Sequence, residues 1–183
     1  MVEDDLHELS RMSQAERIPA SPEPFEVFFR RESRRLVGLA YALSGSRLAA
    51  DDIAQEALLA AYKRWDEVGS LENPGAWVRR VVANKAVSVV RKRVSEAKGL
   101  ARLAIHRDVA SVPDLTAESE WLWGEVRRLP RRQVQVIGLR YYDQLSMSEI
   151  AEALGCSKES VHTHLRRARK TLTRRIGSEG ELP

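Results

Sequence analysis

The segment from Ser146 to Ile176 constrains the fold of this chain more than any other, because it reads as two short helices joined by a glycine turn. Ser146 is followed by Glu149 at the spacing of a capping box, which predicts the start of a helix. Gly155 can end that helix with a positive φ, and Ser157 can cap the next one. This outline predicts a helix-turn-helix whose second helix enters DNA.

The second predicted helix has one apolar face and one basic face. Its buried side is predicted to consist of Val161, Leu165, Ala168 and Leu172. Its other side carries polar and basic residues, namely Lys158, His162, Thr163, Arg166, Arg167 and Lys170. Side chains near the start of the helix are expected at base edges, and the later arginines at phosphates. A solvated amphipathic helix in a bundle is the alternative, but such helices usually mix both signs of charge.

Composition and charge limit the classes of protein that remain. The 183 residues allow one or two small domains. Lys and Arg total 30 against 26 acidic residues, and the basic residues concentrate in 75–93 and 157–176. The single cysteine, Cys156, excludes an intrachain disulfide and agrees with a reducing compartment. Because no apolar run has transmembrane length and no signal peptide is recognisable, we expect a cytoplasmic protein.

Apolar residues at helical spacing predict three helices in the first half of the chain. The first runs from Phe25 to Leu43 and is broken by Gly45 and Ser46. The second runs from Ala49 to Val68, and the third from Gly75 to Arg93. Their predicted buried residues are Phe25, Phe28, Phe29, Leu36, Leu39, Ala40 and Leu43 in the first, Ile53, Ala57, Ala61 and Trp65 in the second, and Trp77, Val81, Val82, Ala86, Val89 and Val90 in the third.

The second half adds two helices before the helix-turn-helix, and no strand pattern occurs anywhere. Trp121, Leu122, Val126 and Leu129 mark a helix that Pro130 stops, and Val134, Ile137, Gly138 and Tyr141 mark another. The prediction is an all-α protein with two small helical domains joined by a flexible linker. The predicted divisions are an acidic, disordered extension (1–23), a first domain (24–93), the linker (94–114), a second domain (115–178) and a tail (179–183).

Asp51, Asp52 and Glu56 form an acidic cluster on the second predicted helix, with Gln55 between them. Such a cluster has three possible interpretations. The carboxylates can carry out acid–base chemistry or bind a metal, they can form a solvated acidic face, or they can form a surface that binds a partner protein. Neither a histidine at the next helical turn nor a phosphate-binding glycine loop completes a catalytic site, and the four histidines do not form a metal set. We therefore predict no cofactor, no metal and no enzymatic activity.

The third predicted helix combines an aromatic residue with basic and amide side chains. Trp77, Arg79, Arg80, Asn84 and Lys85 follow a loop and share this helix. Single-stranded DNA is gripped by stacking on aromatic rings while cations hold the backbone. For Trp77 a position in the core is the equally weighted alternative.

Three segments together resemble the bacterial sigma-70 superfamily, and most closely its small extracytoplasmic-function (ECF) sigma factors of actinobacterial type. They are DDIAQEALLAAYKRW (51–65), NPGAWVRRVVANKAVSVVRKR (73–93) and LPRRQVQVIGLRYYDQLSMSEIAEALGCSKESVHTHLRRARKTL (129–172). The first two resemble sigma region 2, a bundle of three or four helices, and the third resembles region 4. The resemblance implies a protein that binds RNA polymerase core and directs initiation at promoters with −10 and −35 elements.

The resemblance also assigns roles to residues of this chain. Core polymerase, through its β′ clamp helices, would contact Asp52, Gln55, Glu56, Leu59 and Lys63. The −10 element, with a base flipped into the loop from Asp66 to Asn73, would contact Asp66, Ser70, Asn73, Trp77, Arg79, Arg80, Asn84 and Lys85. The −35 element would contact Ser157, Lys158, Glu159, Ser160, His162, Thr163, Arg166, Arg167 and Lys170. The β flap and an anti-sigma factor are further implied partners of a chain expected to be monomeric when free.

Two positions depart from the family pattern. Primary sigma factors carry adjacent aromatic residues where this chain has Ala76 and Trp77, which implies less aggressive melting and stricter promoter choice. Many ECF members have Val-Lys-Ser-Arg where this chain has the run from Val161 to His164. The main alternative is a dimeric helix-turn-helix regulator, which would need a self-complementary apolar face in its first domain. A metal-dependent nuclease that uses the acidic cluster is a more distant one.

Overall fold

A computed structural model describes residues 23–97 and 117–179, which form eight α-helices, one π-helical turn and no strand. The helices are α1 (Phe25–Ser44), α2 (Arg47–Tyr62), α3 (Trp65–Val68), α4 (Pro74–Ala97), α5 (Ala117–Arg127), α6 (Arg131–Ile137), α7 (Met147–Leu154) and α8 (Lys158–Glu179), with the π-helical turn at Gly138–Tyr142. The predicted all-α class is confirmed. The predicted extension before Glu23, the linker beyond Ala97 and the tail beyond Glu179 lie outside the described residues.

Helices α1, α2 and α4 pack against one another around a common core. The large side chains of this core come mainly from α1, where Phe28, Leu39 and Leu43 have no exposed surface. α2 contributes mostly small residues, among them Ala50 and Ala57, which are also fully buried. Because alanine takes little space and has the highest helix propensity, α2 can lie close to α1 without leaving its helical conformation.

The break between α1 and α2 follows the local chemistry that the sequence predicted. Gly45 ends α1 in the left-handed conformation with φ 66°, and its N–H donates to the Tyr41 carbonyl. Ser46 begins α2, since its side chain accepts a hydrogen bond from the Ala49 N–H. Gly45 and Ser46 therefore form a two-residue turn that places α2 alongside α1.

The predicted single helix from Ala49 to Val68 is wrong at its C-terminal end. α2 ends at Tyr62 and a separate short helix begins at Trp65, because Arg64 leaves the helical conformation at φ −129° and ψ 29°. Trp65 instead packs on α1, with ring centroids 4.9 Å from Phe28 and 5.2 Å from Phe25. Its indole N–H donates to the Glu23 carbonyl at 2.8 Å, so tertiary contacts override the helical period here.

Four aromatic or aliphatic residues predicted to mark buried faces are exposed instead: Phe29, Trp121, Leu122 and Tyr141. In α5 the inward-facing apolar residues are Trp123 and the predicted Val126. Tyr141 lies in the π-helical turn, whose wider turn shifts the side-chain period that the prediction assumed. Its hydroxyl accepts a hydrogen bond from Arg169 of α8 at 2.7 Å, so the ring supports that helix from outside the core.

The predicted helix-turn-helix is confirmed in its caps and, apart from the half-buried Leu172, in its buried face. Ser146 and Glu149 form a complete capping box at the start of α7. Gly155 ends α7 with φ 61°, and the Ser157 hydroxyl accepts from the Ser160 N–H at 3.2 Å at the start of α8. The buried residues of the motif are Ile150 and Leu154 of α7 and Val161, Leu165 and Ala168 of α8. α8 is thereby fixed with its polar side outward.

Replacing Gly155 with alanine is expected to destabilise the protein by about 1–2 kcal/mol, since a Cβ strains the left-handed backbone. That Cβ would also lie 3.3 Å from the Arg80 guanidinium. The matched control is Gly124→Ala in α5, where an added Cβ meets nothing and helix propensity predicts a gain of about 0.5–1 kcal/mol. Urea unfolding followed by circular dichroism measures both changes, and equal effects of the two substitutions would contradict the assigned turn.

Candidate nucleic-acid and protein interfaces

One face of α2 and its C-cap carries all the residues predicted to bind a protein partner. Asp52, Gln55, Glu56, Leu59 and Lys63 are exposed, at spacings that place them along one side of the helix. The opposite side of α2 is buried in the core. We call these five residues the α2 strip. Leu59 has 51% of its surface exposed between charged neighbours, an arrangement typical of a partner-binding surface.

The α2 strip borders a groove between α2 and α4. The Glu56 carboxylate forms an ion pair with Lys85 of α4, and Asp52 lines the same groove. Asp51 is partly buried beside it, and this burial together with the charge of Asp52 raises the pKa of the Asp51 carboxyl. Within residues 23–97 and 117–179 no group of three His, Cys, Asp or Glu side chains is placed to hold a metal ion.

The loop before α4 contains three of the predicted −10 residues, of which two are exposed and one has a structural role. Asp66 and Ser70 are exposed, and the Ser70 hydroxyl donates to the Glu67 carbonyl at 2.8 Å. The Asn73 side-chain oxygen instead accepts from the Ala76 N–H at 3.0 Å and so caps α4 ahead of Pro74. The cap fixes where α4 begins and holds the loop against it.

The predicted −10 residues of α4 do not share one open surface. Arg80 is exposed, whereas Trp77 and Lys85 are half-buried. The Arg64 guanidinium lies 6.0 Å from the centre of the Trp77 ring, within cation–π range. Trp77 is half-buried and packs against the core, in agreement with the core alternative, and its stacking on DNA stays a prediction.

Arg79 and Asn84 are covered by the second half of the chain. Arg79 is 8% exposed and forms ion pairs with Glu32 of α1 at 2.7 Å and with Asp143 at 2.5 Å. The Asn84 side-chain oxygen accepts from Arg131 at 2.7 Å and from Gln135 at 2.9 Å. In this arrangement Arg79 is buried, whereas Asn84 is partly buried and its side-chain oxygen is already hydrogen-bonded.

No sequence motif marks the partners of these two residues. Asp143 is 1% exposed and Gln135 is fully buried, and both follow apolar or aromatic neighbours. A polar residue inside an apolar run is a usable signal, because a buried polar side chain needs a hydrogen-bonding partner. What the sequence lacks is any indication of which distant residue that partner is.

The polar side of α8 is open along its length. Lys158, Glu159, His162, Arg166, Arg167 and Lys170 are exposed, and Ser160 and Thr163 are partly so. Ser157 is committed to capping the helix, which makes its role structural as well. His162, Thr163, Arg166 and Arg169 line a shallow groove together with Met147 of α7. The helix thus presents hydrogen-bonding groups at its start and fixed positive charge further along.

His164 should make the stability of the protein depend on pH. Burial lowers the pKa of the His164 imidazole, and the charges of Arg167 and Arg132 lower it further. The unfolded chain therefore binds the proton more readily, so stability is complete above the unfolded pKa near 6.5 and falls as pH drops below it. Unfolding in urea at pH 7.5 and 5.5 should show this decrease, and His164→Gln should reduce it; an unchanged decrease would exclude His164 as its source.

Comparison with known proteins agrees with this arrangement. The family model for Sigma-70 region 2 matches residues 28–96, and that for Sigma-70, region 4, matches residues 119–172. The RNA polymerase sigma-E factor of Streptomyces avermitilis is 32% identical over 157 residues, which cover 84% of this chain and 86% of the relative. The ECF RNA polymerase sigma factor SigW of Bacillus subtilis is 26% identical over 155 residues, covering 78% and 83% of the two chains.

A solved structure supports the same relationship. The sigma factor RpoE of Bartonella quintana, determined in complex with the anti-sigma factor NepR, matches with a TM-score of 0.61 and 25% identity. The match covers 84% of this chain and 96% of that one. Two helical units, one of them a helix-turn-helix with a basic outer face, and these matches together define a transcription initiation factor.

The chain belongs to the sigma-70 family, within its ECF sigma factors. Its function is promoter-specific transcription initiation with RNA polymerase, and it is not an enzyme. The alternative of a dimeric regulator is not favoured. None of the described helices is both long and apolar enough to cross a membrane.

Proposed function

We propose that the α2 strip binds the β′ clamp helices of RNA polymerase core. The observation that carries this proposal is the placement of Asp52, Gln55, Glu56, Leu59 and Lys63 on one exposed face, although most positions between them are buried. Acidic side chains around an exposed leucine complement a basic, partly apolar coiled coil. The strip has no evident task in holding the first helical unit together, apart from the Glu56–Lys85 pair at its border.

The two DNA-facing surfaces are assigned to the two promoter elements. The loop with Asp66 and Ser70, followed by Trp77, Arg80 and Lys85, would contact the −10 strand, and Arg79 and Asn84 would join them. The start of α8 would read the −35 element, with Lys158 and His162 near base edges. Arg166, Arg167 and Lys170 would hold phosphates. Two modest surfaces on one polymerase then act together, because tethering raises their effective concentration.

The partners and location follow from this role. Such a chain would act as a monomer in the cytoplasm, where RNA polymerase and promoter DNA are found, with its second unit near the β flap. An anti-sigma factor is a further partner that we propose, supported by the complex in which the similar RpoE was determined.

Binding of the fluorescently labelled full chain to purified bacterial RNA polymerase core tests the proposal. We expect saturable binding at nanomolar concentrations, and displacement by an unrelated sigma factor that uses the same clamp site. Gel filtration of the free chain should show a monomer. A stable dimer that ignores core polymerase would contradict the proposal and support a conventional operator-binding regulator.

A further inference from the structure

We propose that Tyr141 positions the Arg169 guanidinium for a backbone phosphate of duplex DNA, at a contact beyond those assigned to the −35 element. This inference rests on the proposed function of α8 as a DNA-binding helix, and it adds a phosphate contact and a positioning residue to it. Tyr141 lies in the π-helical turn, and Arg169 lies in the second half of α8. The two residues are 28 positions apart, so only the fold brings them together.

The Tyr141 side chain contacts Arg169 in two ways. The Arg169 Nε donates a hydrogen bond to the Tyr141 hydroxyl at 2.7 Å. The central carbon of the guanidinium also lies 5.7 Å from the centre of the Tyr141 ring, within cation–π range. A hydrogen bond alone would let the long arginine side chain rotate about it. The bond and the ring contact together restrict both the position and the orientation of the guanidinium.

The π-helical turn places Tyr141 against α8 and not in the core. Leu139 of the same turn is fully buried and Tyr142 is half-buried, whereas Tyr141 is 50% exposed. The core therefore does not depend on the Tyr141 ring. Because cation–π contacts at exposed sites are weak, the pair adds little to the stability of the protein. Its main effect is on where the guanidinium lies.

The contact with Tyr141 preserves the charge and the terminal donors of Arg169. A tyrosine hydroxyl accepts the hydrogen bond without adding negative charge, whereas Arg127 and Arg128 are paired with carboxylates. Within residues 23–97 and 117–179, neither terminal nitrogen of Arg169 has a hydrogen bond or an ion pair. Two parallel N–H groups at the end of an arginine match two oxygens of a phosphate. The positioned guanidinium is therefore suited to this anion.

Arg169 lies on the same side of α8 as residues assigned to the −35 element. His162, Arg166 and Arg169 follow one another at spacings of four and three residues, which define one helical face. All three line the shallow groove that α8 forms with Met147 of α7. Seven residues of helix span about 10 Å, so Arg169 lies well beyond the start of α8 that would contact base edges. This is where a DNA-binding helix contacts the backbone.

Positioning strengthens this phosphate contact. An arginine side chain loses much rotamer freedom when a partner fixes it. A side chain that is already held in the free protein loses less on binding, so more of the interaction contributes to affinity. Tyr141 therefore increases the affinity for DNA through Arg169 without contacting DNA itself.

Anisotropy titrations of the full chain with a random-sequence duplex, across a salt series, test the contact. Arg169→Ala should weaken binding by about tenfold, as expected for one charged hydrogen-bonding group, and lower the slope of log affinity against log salt by about 0.9. Tyr141→Phe, which keeps the ring and loses the hydrogen bond, should weaken binding by about two- to threefold, the loss expected if the guanidinium is then in position about one-third of the time. Tyr62→Phe, at an exposed tyrosine of α2, is the matched control and should bind as the wild type does.

A double-mutant cycle shows whether Tyr141 acts through Arg169. In the Arg169→Ala background, Tyr141→Phe should no longer change the affinity for the duplex, because its effect on DNA binding is the position of that guanidinium. Urea unfolding checks that each variant is folded. If Tyr141→Phe weakens binding equally in both backgrounds, or in neither, the inference is overturned while the proposed function of α8 stands. If the folded wild type shows no salt-dependent binding to the duplex, the proposed function of α8 fails, and this inference fails with it.

Discussion

Replacing Asp52 and Glu56 with arginine is expected to weaken binding of the chain to RNA polymerase core by about 30-fold or more. Truncating one partner of a close interfacial charge pair costs about 2–5 kcal/mol, and each 1.4 kcal/mol is a factor of ten in the dissociation constant. Reversal of two charges also places like charges opposite one another. The fold should survive, since both residues are exposed and the Glu56–Lys85 pair lies at the surface.

The matched control for this variant is Glu26→Arg/Glu152→Arg. Both residues are exposed and neither belongs to the α2 strip, and the change in net charge is the same. Fluorescence titration against core polymerase at two salt concentrations compares the variants, with thermal melts as a check of folding. If the control binds as weakly as Asp52→Arg/Glu56→Arg, general charge and not the α2 strip governs binding.

Replacing Arg166, Arg167 and Lys170 with alanine is expected to remove much of the salt-dependent affinity of the free chain for duplex DNA. All three are exposed on the outer side of α8. Removing one phosphate-binding charge should lower the slope of log affinity against log salt by about 0.9, so the triple variant should have a slope smaller by roughly 2–3. The effect should not depend on the DNA sequence, because phosphates are the same at every base pair.

Anisotropy titrations of a random-sequence duplex across a salt series measure this slope. Arg30→Ala/Arg34→Ala supplies the control, since both arginines are exposed on α1, away from α8. Per charge removed, the control should change the slope far less. A similar change per charge would mean that diffuse positive charge, and not α8, attracts the DNA.

The helix-turn-helix could be predicted in detail because its signals are local. Ser146, Glu149 and Gly155 act within one turn of the residues they cap, and the structure places each of them in the expected role. The buried face of α8 follows from helical spacing alone, and Val161, Leu165 and Ala168 lie on it. Local chemistry of this kind does not require knowledge of the rest of the fold.

The incorrect predictions concern the end of the second helix and the burial of Tyr141. Trp65 leaves the helical register because Phe25 and Phe28 receive its ring, and nothing near Trp65 in sequence indicates this. Tyr141 is exposed because the π-helical turn changes the period of the apolar pattern. Phe25 and Phe28 lie about 40 residues before Trp65, and the π-helical turn follows no apolar or polar period that the sequence displays.

In the candidate binding surfaces, too, local features could be predicted from the sequence and tertiary contacts could not. The α2 strip could be predicted as one face because its residues follow one helical period. The positions of Arg79 and Asn84 could not, since their contacts to Asp143 and Gln135 join residues far apart in the chain. Residue types identified both side chains as polar and capable of binding DNA, but only the tertiary fold shows that the second unit already occupies them.

The measurement that tests the central claim most directly is transcription of fragmented genomic DNA from the source organism by core polymerase, with and without this chain. We predict a discrete set of transcript start sites that require the chain, preceded by two shared sequence elements at fixed spacing. Asp52→Arg/Glu56→Arg should abolish these starts, and Glu26→Arg/Glu152→Arg should retain them. The same start sites with and without the chain, under conditions in which another sigma factor is active, would contradict its assignment as a promoter-specific initiation factor.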